Sequence, residues 1–208
     1  MRKKLEHILT YEKGKIFLIV LLSALLLLIA VSYGRKEKEI LLSGILINQY
    51  PEQETIERLE EDMLRAAEGD ADTCRVELDC SVTLNLKAQD QDTMDNLAKI
   101  TAWIFGKDLD FMIGEPDVAE HFAALNGLAD LTEIFGEDLP KPCRDRIFYS
   151  EEGKAVGICL ENTALIKRYG IELENPVFCL VNNSEHRKLA AEMIIRLMEE
   201  GIENGETV

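Results

Sequence analysis

Ile40–Tyr50, with the sequence ILLSGILINQY, is a short apolar run that Pro51 and Glu52 bring to a close. A run of this length without charged side chains predicts a strand that is buried on both faces. Central strands of parallel sheets have this composition, because helices cover both of their faces. The stretch therefore favours an α/β fold.

The next two elements differ in their periodicity. Glu54–Gly69 places apolar side chains at the three- and four-residue spacing of an amphipathic helix. Cys74–Leu86 then alternates strictly, with every even position apolar and every odd position polar. Strict alternation predicts a strand with one solvated face, at or near a sheet edge. Thirteen residues is long for one strand, so we expect a break near Cys80–Ser81.

Strand and helix signals continue to alternate toward the C-terminus. Apolar runs predict strands at 109–114, 154–160 and 176–181, and helical patterns follow at 92–106, after 115–117 and at 185–200. Asp92 and Asp95 resemble a capping box at the start of the second of the chain's predicted helices. This order predicts an α/β fold with a three-layer arrangement and a mostly parallel sheet. The strands at 40–47 and 176–181 are expected inside that one sheet.

Upstream, Ile16–Tyr33 is eighteen residues long and carries no charge. As a helix it would extend about 27 Å, which is enough for the hydrocarbon core of a membrane. Five basic residues precede it and three follow closely, a bias that predicts a cytoplasmic N-terminus. The expected organisation is a cytoplasmic segment 1–15, a transmembrane signal anchor 16–34, a charged stalk 35–39, an extracytoplasmic domain 40–200 and a frayed tail 201–208. Cleavage after the small residues Ala30–Ser32 remains an alternative.

The charge is divided unevenly along the chain. Residues 1–15 hold five of the 23 basic and two of the 39 acidic side chains, so 18 basic and 37 acidic side chains remain for the rest. A domain this acidic is not expected to bind nucleic acid or an anionic lipid surface. The charge could serve solubility alone, and a cationic ligand or partner is the alternative.

The five cysteines do not form a metal-binding pattern. There is no C-x-x-C and no cysteine–histidine cluster at zinc spacing. Cys159 and Cys179 fall in two apolar strand-like runs that could be neighbours in a sheet, so a disulfide between them is possible. The alternative is that most of the cysteines are small buried apolar residues.

Two longer segments resemble a known family. In LDFMIGEPDVAEHFAALNGLADLTEIF, residues 109–135, a strand containing Asp110 is followed by a helix with Phe122 and by Gly127–Leu131. The C-terminal stretch PVFCLVNNSEHRKLAAEMIIRLME continues from a strand through an Asn-Ser cap into a helix. Both resemble extracellular solute-binding proteins of ABC importers. The resemblance implies their fold in a single lobe, because the segment between Phe135 and Pro176 is too short for a second lobe. It therefore implies no transport activity.

No catalytic, cofactor or metal motif is recognisable. The sequence has no G-x-S-x-G, no Gly-rich phosphate loop and no EF-hand spacing, and His121 and His186 stand alone in predicted helices. No enzyme activity and no cofactor are therefore expected.

The candidate binding site is the rim formed by the carboxyl ends of the strands, where open α/β sheets bind ligands. Its residues are Asn48, Gln49, Glu115, Asp117, Glu161 and Asn162, with Asn182–Asn183 following the last strand. Each could equally be a turn or cap residue. If the rim binds, its carboxylates favour an amine or another cationic group.

The expected function is that of a membrane-anchored extracytoplasmic binding or interaction module. Its partner would be a neighbouring membrane protein or permease, or a weakly bound small molecule. The alternative is a structural accessory subunit of a membrane transport or secretion complex that binds no small molecule.

Topology gives the first testable prediction. On intact cells, a membrane-impermeant thiol reagent should label the C-terminal part after reduction and partial opening of the domain. The measurement is the mass of the labelled protein. Protection that persists until the membrane is lysed would contradict an extracytoplasmic domain.

Overall fold

The computed structural model describes residues 13–34, 38–88, 90–136 and 139–203. The chain forms two compact units, Met1–Lys38 and Glu39–Val208. The first unit contains helix α1, Lys13–Gly34, which spans the apolar run. Among the described residues, no helix combines the length and the apolar character that a membrane crossing requires. The anchor therefore stays a prediction. The predicted cytoplasmic segment, stalk and tail fall largely outside the described residues.

The second unit contains strands and helices in alternation. Its elements are β1 (Glu39–Leu46), α2 (Gln53–Ala66), β2 (Cys74–Asp79), α3 (Gln91–Gly106), β3 (Phe111–Gly114), α4 (Pro116–Ala124), α5 (Leu131–Phe135), α6 (Lys141–Arg144), β4 (Ile147–Tyr149), β5 (Ala155–Cys159), α7 (Ala164–Tyr169), β6 (Val177–Leu180) and α8 (Arg187–Glu203). The predicted α/β class is confirmed. Strand β4 gave no signal in the sequence.

The six strands of the described chain form one mixed sheet in the order β2-β1-β3-β6-β5-β4. Strand β1 pairs in parallel with β2 and β3. The β3–β6, β6–β5 and β5–β4 pairs are antiparallel. The prediction of a mostly parallel sheet was therefore wrong. An apolar run reports burial on both faces but not direction, and an antiparallel strand covered by helices on both sides has the same composition.

Helices cover both faces of this sheet, which gives the predicted three layers. Along β1, Leu42 and Leu46 pack into one core while Ile45 and Ile47 pack into the other. The first core includes the buried faces of α2 and α8, and the second includes those of α3 and α4. Both β1 and β6 lie inside the sheet, as predicted for 40–47 and 176–181.

The alternating stretch 74–86 does break where it was expected to. Strand β2 ends at Asp79 and forms an edge of the sheet. Beyond the break, the apolar side chains change faces: Val76 and Leu78 pack into the first core, whereas Val82 and Leu84 pack into the second. A single strand keeps even positions on one face, so the break at Cys80 lets one alternating pattern contribute to both cores.

One helix start differs from its prediction. Helix α3 begins at Gln91, and the carboxylate of Asp90 caps it by accepting a 2.8 Å hydrogen bond from the N–H of Thr93. The cap was assigned to Asp92 in the sequence. Either carboxylate satisfies a free N–H group of the first turn, so the pattern alone does not fix the starting residue.

The cysteines are free thiols, so the Cys159–Cys179 bridge is not present in the structure. The two residues do lie on neighbouring strands. Their register is offset, because Gly157 is opposite Cys179 and Cys159 is opposite Val177. Burial raises the pKa of both thiols. A thiol with a raised pKa carries little thiolate and reacts slowly.

Close packing in the centre of the sheet depends on a glycine. Gly44 in β1 lies opposite Phe111 in β3. A Cβ atom at Gly44 would come within 2.2 Å of the Phe111 ring. That ring has no room to move, because it is fully buried and stacks on Phe178 with 5.3 Å between the ring centroids. Only glycine allows the two aromatic rings to fill this place.

Gly44→Ala should therefore destabilise the domain by about 1–3 kcal/mol through overpacking. The measurement is the free energy of unfolding in urea. Gly114→Ala is the matched control, since its added Cβ would meet Val118 at 3.4 Å, an ordinary contact. The control should change stability by no more than about 1 kcal/mol. Equal effects of the two substitutions would contradict this account of the core.

Candidate binding site

The predicted site residues lie at both ends of the strands of the sheet. The carboxyl ends of β1, β3 and β5 lie at one end, which carries Asn48, Glu115 and Glu161. Strand β6 runs the opposite way, so Asn182 and Asn183 lie at the other end. The strand-end residues that the sequence grouped together are thus divided between two sites.

Asn48 stabilises the fold at the carboxyl end of β1. It has a left-handed backbone with φ of 62°. Its side-chain amide donates to the carbonyl of Leu84 at 3.0 Å, and its Oδ1 accepts from the Leu84 N–H at 2.8 Å. Its backbone N–H donates to the carbonyl of Val82 at 3.0 Å. After β2 has ended, the hydrogen bonds of Asn48 therefore satisfy backbone groups of residues 82–84 that a neighbouring strand would otherwise pair.

Gln49 and Glu115 both hold the same loop of the chain. This segment, residues 170–176, joins α7 to β6 and is called the rim loop. Gln49 Oε1 accepts a hydrogen bond from the N–H of Glu172 at 3.2 Å. Glu115 Oε1 accepts one from the N–H of Glu174 at 3.4 Å. Two of the predicted ligand-binding groups are thus engaged with the protein's own backbone.

The other three predicted rim residues are exposed. Asp117 Oδ1 accepts a 2.9 Å hydrogen bond from the N–H of Val118 in the first turn of α4. Asn162 has a left-handed φ of 60° in the turn that follows β5. The backbone carbonyl of Glu161 accepts from the guanidinium of Arg146 at 2.8 Å. Cation binding at this rim remains a prediction.

An apolar cleft lies at the opposite end of the strands, between the C-terminal ends of α3 and α4 and the turn that joins β6 to α8. Its volume is about 340 Å³, which is within the range of small ligand sites. No lining residue is charged. The lining consists of Thr101, Ile104, Phe105, Phe122, Leu125, Asn126, Gly127, Asn182 and Asn183.

Two large apolar side chains stand in solvent at this cleft: Phe105 is 81% exposed and Leu125 is 61% exposed. The backbone explains why helices end here. Lys107, with a φ of 61°, closes α3, and Asn126, with a φ of 55°, turns the chain after α4. Phe105 in the last turn of α3 and Leu125 directly after α4 therefore remain uncovered.

Asn183, one of the lining residues, has a buried acceptor that is unpaired among the described residues. The side-chain amide of Asn183 donates to the carbonyl of Ile104 at 2.5 Å. Its Oδ1 is buried and accepts no hydrogen bond from the part of the chain that the structure describes. Leaving such a group unsatisfied costs about 1–3 kcal/mol. Native structures contain few of these groups, and those that occur need an explanation.

The carboxylate of Asp110 holds this turn in place. Asp110 is 4% exposed. Its Oδ2 accepts from the N–H of Ser43 at 2.9 Å, and its Oδ1 accepts from the Ser184 hydroxyl at 2.5 Å. Nδ1 of His186 lies 3.2 Å from the same Oδ1. The two segments that carried the family resemblance in the sequence therefore meet at this hydrogen-bonded cluster.

Serine, histidine and aspartate come together here in an arrangement that differs from a catalytic triad. A triad requires the imidazole to accept the serine proton. The Ser184 hydroxyl instead donates to Asp110, and its oxygen accepts from the backbone N–H of His186 at 2.9 Å. Ser184 is also only 4% exposed. The contacts place Ser184 and Asp110 in the support of the turn. His186 lies just before α8, not inside it as predicted.

Charges near the turn are paired. Lys107 Nζ lies 2.6 Å from Glu185 Oε1. The hydrogen bond from Lys107 and its positive charge hold the pKa of Glu185 below its ordinary value. Asn126 Oδ1 accepts from Lys154 Nζ at 3.2 Å. These groups hold the border of the cleft without placing a net charge in its lining.

A second, polar pocket of about 380 Å³ lies at the start of α3. Asp90, Asp92 and Asp95 line it together with Thr83, Asn85, Thr93 and Asn96. Asp90 caps the helix, and Asp95 accepts from the side chain of Gln91 at 2.7 Å. Within the described ranges, no three acidic, histidine or cysteine side chains are grouped so as to hold a metal ion.

The apolar cleft is not among the sites predicted from the sequence. One signal for it exists, since Phe105 lies outside the apolar stripe formed by Leu97, Ile100 and Ile104. The Asn126–Gly127 turn was recognised only as a helix end. The unpaired oxygen of Asn183 has no counterpart in sequence, because it depends on where Ile104 places its carbonyl.

Comparisons with known proteins find little. No family model matches the chain, and no curated protein matches it. Among solved structures, it is similar to an extracellular solute-binding protein family 1 from Alicyclobacillus acidocaldarius subsp. acidocaldarius DSM 446, with 12% sequence identity and a TM-score of 0.37. The match covers 60% of this chain and 29% of that protein.

Proposed function

We propose that this protein is a membrane-anchored, extracytoplasmic and non-catalytic binding module whose partner docks at the apolar cleft. The observation that carries the proposal is the pair of exposed side chains, Phe105 and Leu125, which line one cleft without charged lining residues. The anchoring rests on the apolar run Ile16–Tyr33 and on the excess of basic residues before it.

Burial of the two exposed side chains supports a docking role. Removing apolar surface from water contributes roughly 25 cal/mol per Å². Covering an exposed phenylalanine with a partner surface would therefore contribute favourable free energy to association. Large apolar side chains that cluster at a concave surface are typical of interaction sites, whereas isolated ones need no explanation. Phe105 and Leu125 line the same cleft, so they form a cluster of this kind.

A protein partner fits this surface better than a free small molecule. Specific small-molecule sites bury about 70–90% of their ligand. Phe105 and Leu125 line the cleft and are mostly exposed, so the surface of a second protein could cover them. A partner surface can bury both side chains and also insert one group between them, whereas a small molecule alone would leave much of their area in water.

The rim at the carboxyl ends of the strands is the weaker candidate. Its groups Asn48, Gln49 and Glu115 already bond to the chain itself. A ligand there would have to replace those contacts. The structural accessory subunit is the same module with a membrane protein as its docking partner, so the identity of the partner separates the two functions.

Site-specific photocrosslinking tests the docking site. A photoreactive amino acid at position 105 of the full chain, expressed in its native cells, should form one discrete adduct, measured by its mass on a gel. Leu125→Asp on the same chain should remove at least about nine tenths of that adduct, because a charge in an apolar contact costs several kcal/mol. The fold should be retained, since Leu125 is 61% exposed.

Tyr149, which is 60% exposed on strand β4, provides the matched control position. The same photoreactive group at position 149 should not form the adduct. Identical adducts from both positions, or an adduct that Leu125→Asp leaves unchanged, would contradict docking at the cleft. Mass spectrometry of the adduct then identifies the partner, and an integral membrane protein would favour the accessory-subunit function.

A further inference from the structure

We infer that the sheet edge formed by β2 is a pairing surface for a second copy of this chain, and that the carboxylate of Glu60 keeps this edge closed. The inference concerns a different surface from the apolar cleft and does not depend on the docking site proposed there. Three observations carry it: the position of β2 at one end of the strand order, the hydrogen bond from Leu78 to Glu60, and the charge pattern of Arg75 and Glu77.

Alternate residues of β2 direct their backbone groups away from the sheet. Strand β2 is the first in the strand order, so it has a neighbour, β1, on one side only. The carbonyl of Thr73, just before the strand, faces β1, because it accepts from the N–H of Glu39 at 2.9 Å. Backbone direction alternates along a strand, so Cys74, Val76 and Leu78 face outward. Such an edge is a template on which another strand can pair.

Two contacts within the chain close this edge. The N–H of Leu78 donates to Oε1 of Glu60 in α2 at 2.8 Å. The N–H of Cys74 donates to the backbone carbonyl of Asp70 at 2.8 Å. Val76 lies between these two contacts and is 2% exposed. Of the two acceptors, only the Glu60 carboxylate can rotate away without a movement of the backbone, so it is the part of the closure that can open.

The placement of Glu60 supports a protective role. Burial raises the pKa of its carboxyl, and the hydrogen bond from the N–H of Leu78 opposes that rise. Natural sheets use charged side chains at their edges to prevent association between edges. A strand that approached β2 would have to displace the Glu60 carboxylate or bury it, and burying a charge is costly. The bond to Leu78 therefore acts as an autoinhibitory contact.

The charges on β2 fit a second copy of the same strand. Arg75 and Glu77 lie on its uncovered face, with side chains that are 53% and 51% exposed. In an antiparallel pair centred on Val76, Arg75 of each copy would lie directly opposite Glu77 of the other copy. Opposite charges at facing positions stabilise a strand pair, and like charges destabilise it. Two copies related by a two-fold axis would therefore form two matched ion pairs.

The same register uses the backbone group that Glu60 now occupies. The N–H of each Val76 would donate to the carbonyl of Val76 in the second copy. The N–H of each Leu78 would donate to the carbonyl of Cys74 in the second copy, which requires its bond to Glu60 to break. Release of this one side chain therefore makes the backbone hydrogen bonds and the ion pairs possible together, and one sheet then continues through both copies.

Light scattering on the full chain in detergent, with the mass of the detergent subtracted, tests the inference through the mass of the protein. Glu60→Ala should double this mass relative to the unmodified chain, because the edge is no longer closed. Glu60→Leu is a second opening variant with the same expected result. Glu61→Ala is the matched control, since it removes an exposed carboxylate at the next position of α2 and should leave the mass unchanged. A cooperative thermal transition shows that each variant is folded.

Charge reversal then tests the register. Added to Glu60→Ala, Arg75→Glu should weaken the dimer about 10-fold, because two like-charged pairs replace two opposite ones. The further change Glu77→Arg should restore the dimer, since exchanging the two charges keeps the strand complementary to its own copy.

Four results would overturn the inference. Folded opening variants that keep the mass of the unmodified chain would show that Glu60 does not close the edge. A dimer that Arg75→Glu leaves intact would form at another surface. An unmodified chain whose mass falls on Arg75→Glu would already be paired through β2, in spite of Glu60. Unfolding of both opening variants would assign Glu60 to the stability of the fold instead.

Discussion

The carboxylate of Asp110 is the constraint on which the end of the domain with the apolar cleft depends. It lies just before β3 and is almost completely removed from water. Burying an ionised carboxylate is costly unless hydrogen bonds compensate for the lost hydration. Those bonds come from two distant parts of the chain: the N–H of Ser43 in β1 and the hydroxyl of Ser184 in the turn before α8. Satisfying one carboxylate therefore ties β1 and the turn that follows β6 to the start of β3, the strand that lies between them.

This arrangement explains why the two ends of the strands differ. At the carboxyl ends of β1 and β3, Gln49 and Glu115 accept hydrogen bonds from the rim loop. At the opposite end, the turn that Asp110 fixes carries Asn183 next to Ser184, and it faces the ends of α3 and α4. Both helices stop with an apolar side chain in solvent. Polar groups thus bond within the protein at one end of the strands, while an apolar surface is exposed at the other.

The sequence predicted the layers of this fold but neither the direction of its strands nor the apolar cleft, for physical reasons. The runs at 40–47 and 176–181 reported burial on both faces, and the structure places both strands inside the sheet. The alternation at 74–86 predicted both the edge position and the break. Strand direction cannot be recognised from composition, because β6 has the composition of a parallel strand and runs antiparallel to β3. Asn182 and Asn183 therefore lie at the opposite end of the strands from the one predicted. Asn48 and Gln49 were predicted as binding residues because polar residues after a strand can either bind a ligand or support a loop.

The coupling free energy between Asp110 and Ser184 tests this account most directly. It is obtained from urea unfolding of the full chain, of Asp110→Ala, of Ser184→Ala and of the double variant. A hydrogen bond from a hydroxyl to a buried carboxylate predicts a coupling of about 1.5–3 kcal/mol. A coupling below about 0.5 kcal/mol would mean that the two residues act independently, and the turn that carries Asn183 would then be held by something other than the Asp110 carboxylate.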